Sequence, residues 1–384
     1  MTTHSLDVAI AKLQQLAGQG LDLPAFWSAA GSVIGQAMPL YSTPCWWTLD
    51  PQSLLATSHF QPDIVELPAE MLAHEYLEDD FHKLADIARS ATGISTIHDA
   101  TDGDPSRSAG WRTFVQAYGG HQEVLVAMRT RAGDTWGVAG FYRAVGQPWF
   151  SQDELRFLRD VSPILGDGAR RGLLIGEAWQ PDGPAGPAII TVSRDSEVTS
   201  LSNGAEQWLA TLPDSRWERT GELPPAVMAV ASREFGRLRD GVTQQAGMTA
   251  RVRTRDGAWL ILHGVTMKSR GEPCVAVIME PVEPVRIASL LMAAYGLTAR
   301  EQELTRLVLQ GYDTRAVATR LGVTSGTVQQ HLKSIFEKTG VRSRRDLVGK
   351  VFFGHYEPRL RDNEVRAQAG FGIRGAPRTE SLVA

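Results

Sequence analysis

The feature that most limits how this chain can fold is a run of helix starts and stops over residues 297–352, LTAREQELTRLVLQGYDTRAVATRLGVTSGTVQQHLKSIFEKTGVRSRRDLVGKVF. Thr298 with Glu301 three places on spells a capping box; Leu304, Leu307 and Val308 then share one face until Gly311. Asp313 caps a short second helix with Val317, Ala318 and Leu321 inward, ended by Gly322. Thr324 caps a third, whose apolar stripe is Val328, Leu332, Ile335 and Phe336, stopped by Gly340. A fourth begins near Ser343 and buries Leu347, Val348 and Val351. Four short amphipathic helices, with a tight Gly-Val-Thr turn between the second and third, predict a helix-turn-helix unit.

The polar residues of the third helix indicate its partner. Between Tyr295 and Phe352 ten Lys or Arg stand against five Asp or Glu, a balance of +5. The whole chain is at −4, so the remainder carries −9. A small basic module on an acidic body is the electrostatic pattern of phosphate-backbone binding, and double-stranded DNA is the expected partner. A packing module with a merely solvated polar face is the competing reading. Gln329, Gln330 and Lys333 lie off the apolar stripe and can reach outward together, Gln toward adenine and Lys toward guanine. Ser325 and Thr327 at the helix start, and Lys338 and Arg344 beyond it, are placed to hold phosphates.

These landmarks resemble the DNA-binding domain of LuxR-type (NarL-type) bacterial regulators. The match runs through Leu297-Thr298-x-Arg300-Glu301, Ala318-x-x-Leu321-Gly322-Val323, Thr327-Val328-x-x-His331 and Gly340-Val341-x-Ser343-Arg344. The resemblance implies an all-α four-helix fold, with base-facing residues at the positions of Gln329 and Lys333. Gln329 stands where the family commonly has Lys, and Gly326 where a bulkier residue is common, so a known operator sequence does not transfer.

Composition bounds the rest. With 384 residues, 43% hydrophobic and 21% charged, the chain is long enough for two or three cored domains. It has no apolar run near the roughly 18 to 20 residues of a membrane span and no signal-peptide pattern at its start, so a cytoplasmic protein is expected. Cys45 and Cys274 lie far apart without a CxxC, which favours neither a disulfide framework nor zinc. G-x-S-x-G, P-loop, HExxH and Rossmann motifs are missing, so neither an enzyme nor a cofactor is expected. His74, Glu78 and His82, read on one helix, span too far for a single metal, and no metal site is expected. Asp79-Asp80, read in that same helix, does not fit a phosphoreceiver.

Upstream, the expected architecture is two α+β domains. Residues 5–38 show helical periodicity; strands are expected at Cys45–Leu49 and Leu54–His59, helix over 67–90, and strands at Val124–Arg131 and Thr135–Tyr142. Ser151 with Glu154 caps a last helix, which Pro163, Gly166 and Gly168 are expected to disturb. This order, and WGVAGFYRAVGQPWFSQDELRFLRDVSPIL in particular, resembles a GAF domain, giving a GAF-like sensor over 1–178. After a Pro/Gly linker at 179–187, two strands, helices and a three-strand set with an Asp256-Gly257 turn resemble a PAS domain over 188–282. A coupling helix over 283–296, with Ile287, Leu290, Leu291 and Ala294 in one seam, precedes the DNA-binding domain at 297–353. The tail 354–384 is expected to be disordered.

Aromatic residues cluster in the first domain, and Trp46, Trp111, His121 and Phe141 are the candidate ligand-binding residues there. Trp46 and Trp47 are adjacent on a strand, so at most one faces the cavity. The sequence thus reads as a homodimeric DNA-binding transcription regulator that senses a small-molecule effector or partner through its N-terminal domains. The alternative keeps the DNA-binding domain and makes the input domains ligand-free dimerisation scaffolds.

Overall fold

The computed structural model describes residues 3–63, 69–173, 186–241, 248–267, 272–281, 292–309 and 311–353. The chain forms two compact units, the first holding Met1–Gly176 with most of 186–280, the second the C-terminal stretch from Pro281. The stretches expected as GAF-like and PAS-like domains both lie in the first unit. Most of the expected linker, the seam residues Ile287, Leu290 and Leu291, and the tail from 354 fall outside the described residues. Among the described residues, no helix is long and apolar enough to cross a membrane.

The first unit opens with α1 (Thr3–Gly18) and α2 (Leu23–Ala37), followed by β1 (Cys45–Leu49), β2 (Ala56–Phe60), α3 (Ala69–Leu77) and α4 (Leu84–Arg89). Then come β3 (Ile94–Thr96), α5 (Ile97–Ala100), β4 (Gly120–Arg129), β5 (Thr135–Ala144) and α6 (Gln152–Gly172). The strands make one sheet in the order β2-β1-β5-β4-β3. β1 pairs antiparallel with β2 and β5, and β4 with β3 and β5. Ser151 and Glu154 form the expected capping box at the start of α6. Phe157, Leu158, Val161 and Leu165 of α6 are buried as the helix packs on β4, α1 and α2.

Three local expectations change. The helix of 67–90 is two helices, with 78–83 non-helical between them and His82 in left-handed backbone at φ 64°. His74, Glu78 and His82 therefore share no helix, and Asp79-Asp80 sits in the connection. By contrast, α6 runs unbroken through Pro163, Gly166 and Gly168. Its glycines are contact points: a Cβ on Gly168 would lie 1.9 Å from the Phe26 ring, and one on Gly166 2.9 Å from the Met128 carbonyl oxygen.

The second sheet comprises β6 (Ala188–Val192), β7 (Val198–Leu201), β8 (Thr249–Arg253), β9 (Trp259–Met267) and β10 (Cys274–Pro281). Its order, β7-β6-β10-β9-β8, repeats that of the first: second strand, first, fifth, fourth, third. Between β7 and β8 lie α7 (Ala205–Thr211), α8 (Trp217–Thr220) and α9 (Pro225–Arg239). α9 packs on α3 and β2, joining the two sheets into one body. Polar bonds reinforce the junction. The Arg251 guanidinium, on β8, donates to both oxygens of Asp50, Nε at 3.1 Å and Nη2 at 2.5 Å, and both side chains are buried. The Arg251 backbone N–H also donates to Asp50 Oδ2 (2.8 Å), and the His59 N–H on β2 donates to Asp214 Oδ2 (2.7 Å).

Among its described residues, the second unit has four helices after a helical end at 292–294: α10 (Ala299–Leu309), α11 (Thr314–Leu321), α12 (Ser325–Thr339) and α13 (Arg344–Phe353). Its core is Met292, Leu297, Leu304, Val308, Val317, Ala318, Leu321, Val328, Leu332, Ile335 and Leu347, with Phe336 and Val348 half-buried against it.

Candidate functional site

Local chemistry fixes helix ends in the second unit. Thr298 and Glu301 exchange the capping-box bonds: the Thr298 N–H donates to Glu301 Oε2 at 2.7 Å, and the Glu301 N–H to Thr298 Oγ1 at 3.3 Å. Asp313 accepts the Ala316 N–H at 2.7 Å, and Thr324 the Thr327 N–H at 3.1 Å. Gly322, at φ 64°, closes α11 with the Val323 N–H on the Ala318 carbonyl, which sets the tight turn into α12. α12 then turns Val328, Leu332, Ile335 and Thr339 inward, leaving Ser325, Gln329, Gln330 and Lys333 exposed on its other side.

The expected DNA-contact residues thus divide. Gln329, Gln330 and Lys333 stand together on the open face, a geometry open to the base edges of a groove. Ser325 is exposed at the helix start, and Thr327 is half-buried with its hydroxyl 2.9 Å from that of Thr324. Arg344 is half-buried at the start of α13, and its Nη2 is buried without a hydrogen-bond partner. Lys338 is engaged within the unit. Its ammonium bonds Glu301 Oε2 at 2.6 Å, while Ser334 donates to Oε1 at 2.7 Å. Lys338 therefore ties the end of α12 to the cap of α10. Together with the Thr298 bonds, these donors outweigh burial and hold the Glu301 carboxyl well below its usual value, at about 2.

The first sheet carries a cavity of about 330 Å³ bordered by Cys45, His59, Asp63, Phe114, Tyr118 and Tyr142, with a smaller adjoining lobe reaching Trp47, Glu75, Trp111 and Glu123. Of the four candidate ligand residues, Trp111 lines the smaller lobe. Trp46 and Phe141 border neither lobe, and Trp46 instead lines a separate pocket of about 360 Å³ with Trp27, Gly31, Pro44 and Phe60. They point to the opposite face of the sheet, where Trp46 stacks on Trp27 at 4.7 Å and meets the Phe141 edge at 6.2 Å. Strand alternation makes Trp47 and Tyr142 the cavity-facing neighbours. His121 belongs to a cluster with His98 and Trp149, and its carbonyl accepts the Trp111 indole N–H. Between the sheet and the smaller lobe, His82 bonds Glu123 and the Ser95 carbonyl, while His74 bonds Asp80. Cys45 Sγ lies 2.9 Å from His59 Nε2, and burial raises its thiol far above the ordinary range.

Residues 296–351 match the family model described as bacterial regulatory proteins, luxR family. The C-terminal segment is a LuxR-family domain. Curated proteins also share part of the sequence. Over 129 residues the chain is 30% identical to a putative HTH-type transcriptional regulator in the exeN 3′ region of Aeromonas salmonicida, covering 32% of this chain and 64% of that protein. Over 56 residues it is 38% identical to the monoamine regulon transcriptional regulator of Klebsiella aerogenes, covering 15% of this chain and 25% of that one. The chain thus spans less than two thirds of either relative. A solved VqmA–ligand–DNA complex from Vibrio cholera aligns with 46% of this chain and 85% of that one, at 19% identity and a TM-score of 0.23, too low to assign a shared fold.

Proposed function

We propose that this protein is a one-component, DNA-binding transcription regulator of the LuxR type, acting as a homodimer and sensing a small molecule through its first unit. The observation that carries the reading is the open face of α12, where Gln329, Gln330 and Lys333 project from a helix fully capped and cored from behind. The relatives' descriptions as transcriptional regulators support it. The order second, first, fifth, fourth, third in both sheets supports reading them as GAF-like and PAS-like sensor folds. In this reading the effector biases two arrangements of the chain, and the spacing of two recognition helices follows. Site selection from random duplexes tests the DNA assignment. Gln329→Ala or Gln330→Ala relaxes preference at an adenine position by roughly 1 to 3 kcal/mol, and Lys333→Ala does so at a guanine. Retention of the wild-type motif by all three variants would refute it. Sedimentation of the full chain on a two-half-site duplex tests the dimer; a single copy bound there would exclude it.

A further inference from the structure

The cavity of about 330 Å³ on the first sheet has an electrostatic character that decides what it can hold. Among the described residues lining it, Asp63 is the one with a permanent charge, and no Lys or Arg is present. Burial pushes the His59 imidazole down to about 4, so at neutral pH it is uncharged. Asp63 stays ionised, because the backbone N–H and then the hydroxyl of Thr43 hold its carboxyl below the ordinary range. Both bonds go to Oδ2, at 2.6 and 2.7 Å, which leaves Oδ1 unengaged among the described residues. The same cavity is lined by the rings of Tyr41, Phe114, Tyr118 and Tyr142. The adjoining lobe has the same sign: among the described residues Asp80 and Glu123 border it against Lys83, whose ammonium is already bonded to the Glu78 carbonyl, while burial raises the Glu75 carboxyl to about 7.

An anion entering this space would meet a carboxylate and no counter-charge. A cation would meet that solvent-exposed carboxylate and the aromatic rings lining the same cavity. The volume of about 330 Å³ lies within the range of small-molecule sites. We propose that this cavity binds a small organic ammonium ion, a primary or secondary amine on an aromatic or branched apolar body, with its charge at Asp63 and its body among Phe114, Tyr118 and Tyr142. The role of such a ligand as effector rests on reading the first unit as a sensor; the site itself does not.

The test uses the full chain and isothermal calorimetry. The probes are benzylamine, 2-phenylethylamine and isoamylamine, each with its matched alcohol and carboxylate. At least one amine is expected to bind ten-fold or more tightly than its alcohol, and its carboxylate not to bind. Asp63→Asn should abolish that ten-fold advantage and leave the alcohol's affinity unchanged, whereas Phe114→Ala should weaken amine and alcohol alike. The proposal is overturned if no amine saturates, if alcohol or carboxylate equals the amine, or if a folded Asp63→Asn protein keeps the advantage. Repeating the DNA titration with the amine present separates the two readings. An amine held through Asp63 that leaves DNA affinity unchanged upholds the site and removes the sensing role. A co-purifying ligand that shifts DNA affinity and is retained by Asp63→Asn does the reverse.

Discussion

Among the described residues of the C-terminal unit, Glu301 concentrates more bonds than any other carboxylate: it closes the cap of α10 and accepts from Ser334 and Lys338 on α12. Its side chain is 5% exposed and that of Lys338 34%. Glu301→Ala removes a cap and strands a half-buried ammonium, and is expected to cost about 2 to 4 kcal/mol by chemical denaturation. Lys338→Ala should cost about 2 kcal/mol, and a double-mutant cycle should return much of that as coupling. The pH dependence has a definite sign. The folded value of about 2 lies below an unfolded value of about 4.3. The contribution of Glu301 is therefore complete above the unfolded value and is lost as pH falls through about 2. Scanning calorimetry between neutral and strongly acid pH should show a decline in the C-terminal transition that Glu301→Gln flattens.

Helices and strands differed in how far their own residues announced them. Caps are local chemistry, so Ser151, Thr298, Asp313 and Thr324 marked helix starts that the structure reproduces. Alternation placed Trp46 and Trp47 on opposite faces, but which pocket each one borders depends on α2 and α6 packing from far along the chain. The Lys338–Glu301 bond likewise joins residues 37 apart, beyond the reach of any local pattern. The break between α3 and α4 escaped because helical periodicity does not register a left-handed residue such as His82. In α6 the glycines read as breakers because their cause, the Phe26 ring, lies on another helix. Gly→Ala in a helix ordinarily gains about 1 kcal/mol. At Gly168 the ring it would meet is fully buried, so Gly168→Ala should instead destabilise by roughly 1 to 3 kcal/mol in denaturant titration.

Across the whole molecule, the junction between the two sheets governs how the first unit unfolds. Asp50→Ala leaves the Arg251 guanidinium buried and unpaired, and should cost about 3 to 5 kcal/mol and split one calorimetric transition into two. Asp214 tunes the same junction with pH. Burial pushes its carboxyl up to about 6, against the His59 N–H and the positive Arg255, which both lower it. A folded value above the unfolded one of about 3.9 means that ionisation weakens the junction. Stability falls as pH rises from the unfolded value and levels off above about 6. Asp214→Asn, which can still accept the His59 N–H and tolerates the φ of 55°, should raise Tm at pH 8 and leave it unchanged at pH 4. The reciprocity of these bonds has a further consequence. β2 and β8 are the border strands of their sheets, and an open border is a template on which another chain can add a strand. A carboxylate from the opposite half occupies an amide on each: Asp214 on β2, Asp50 on β8. Each half thereby shields the other from edge-to-edge aggregation, and either one expressed alone should self-associate through the strand its partner no longer covers.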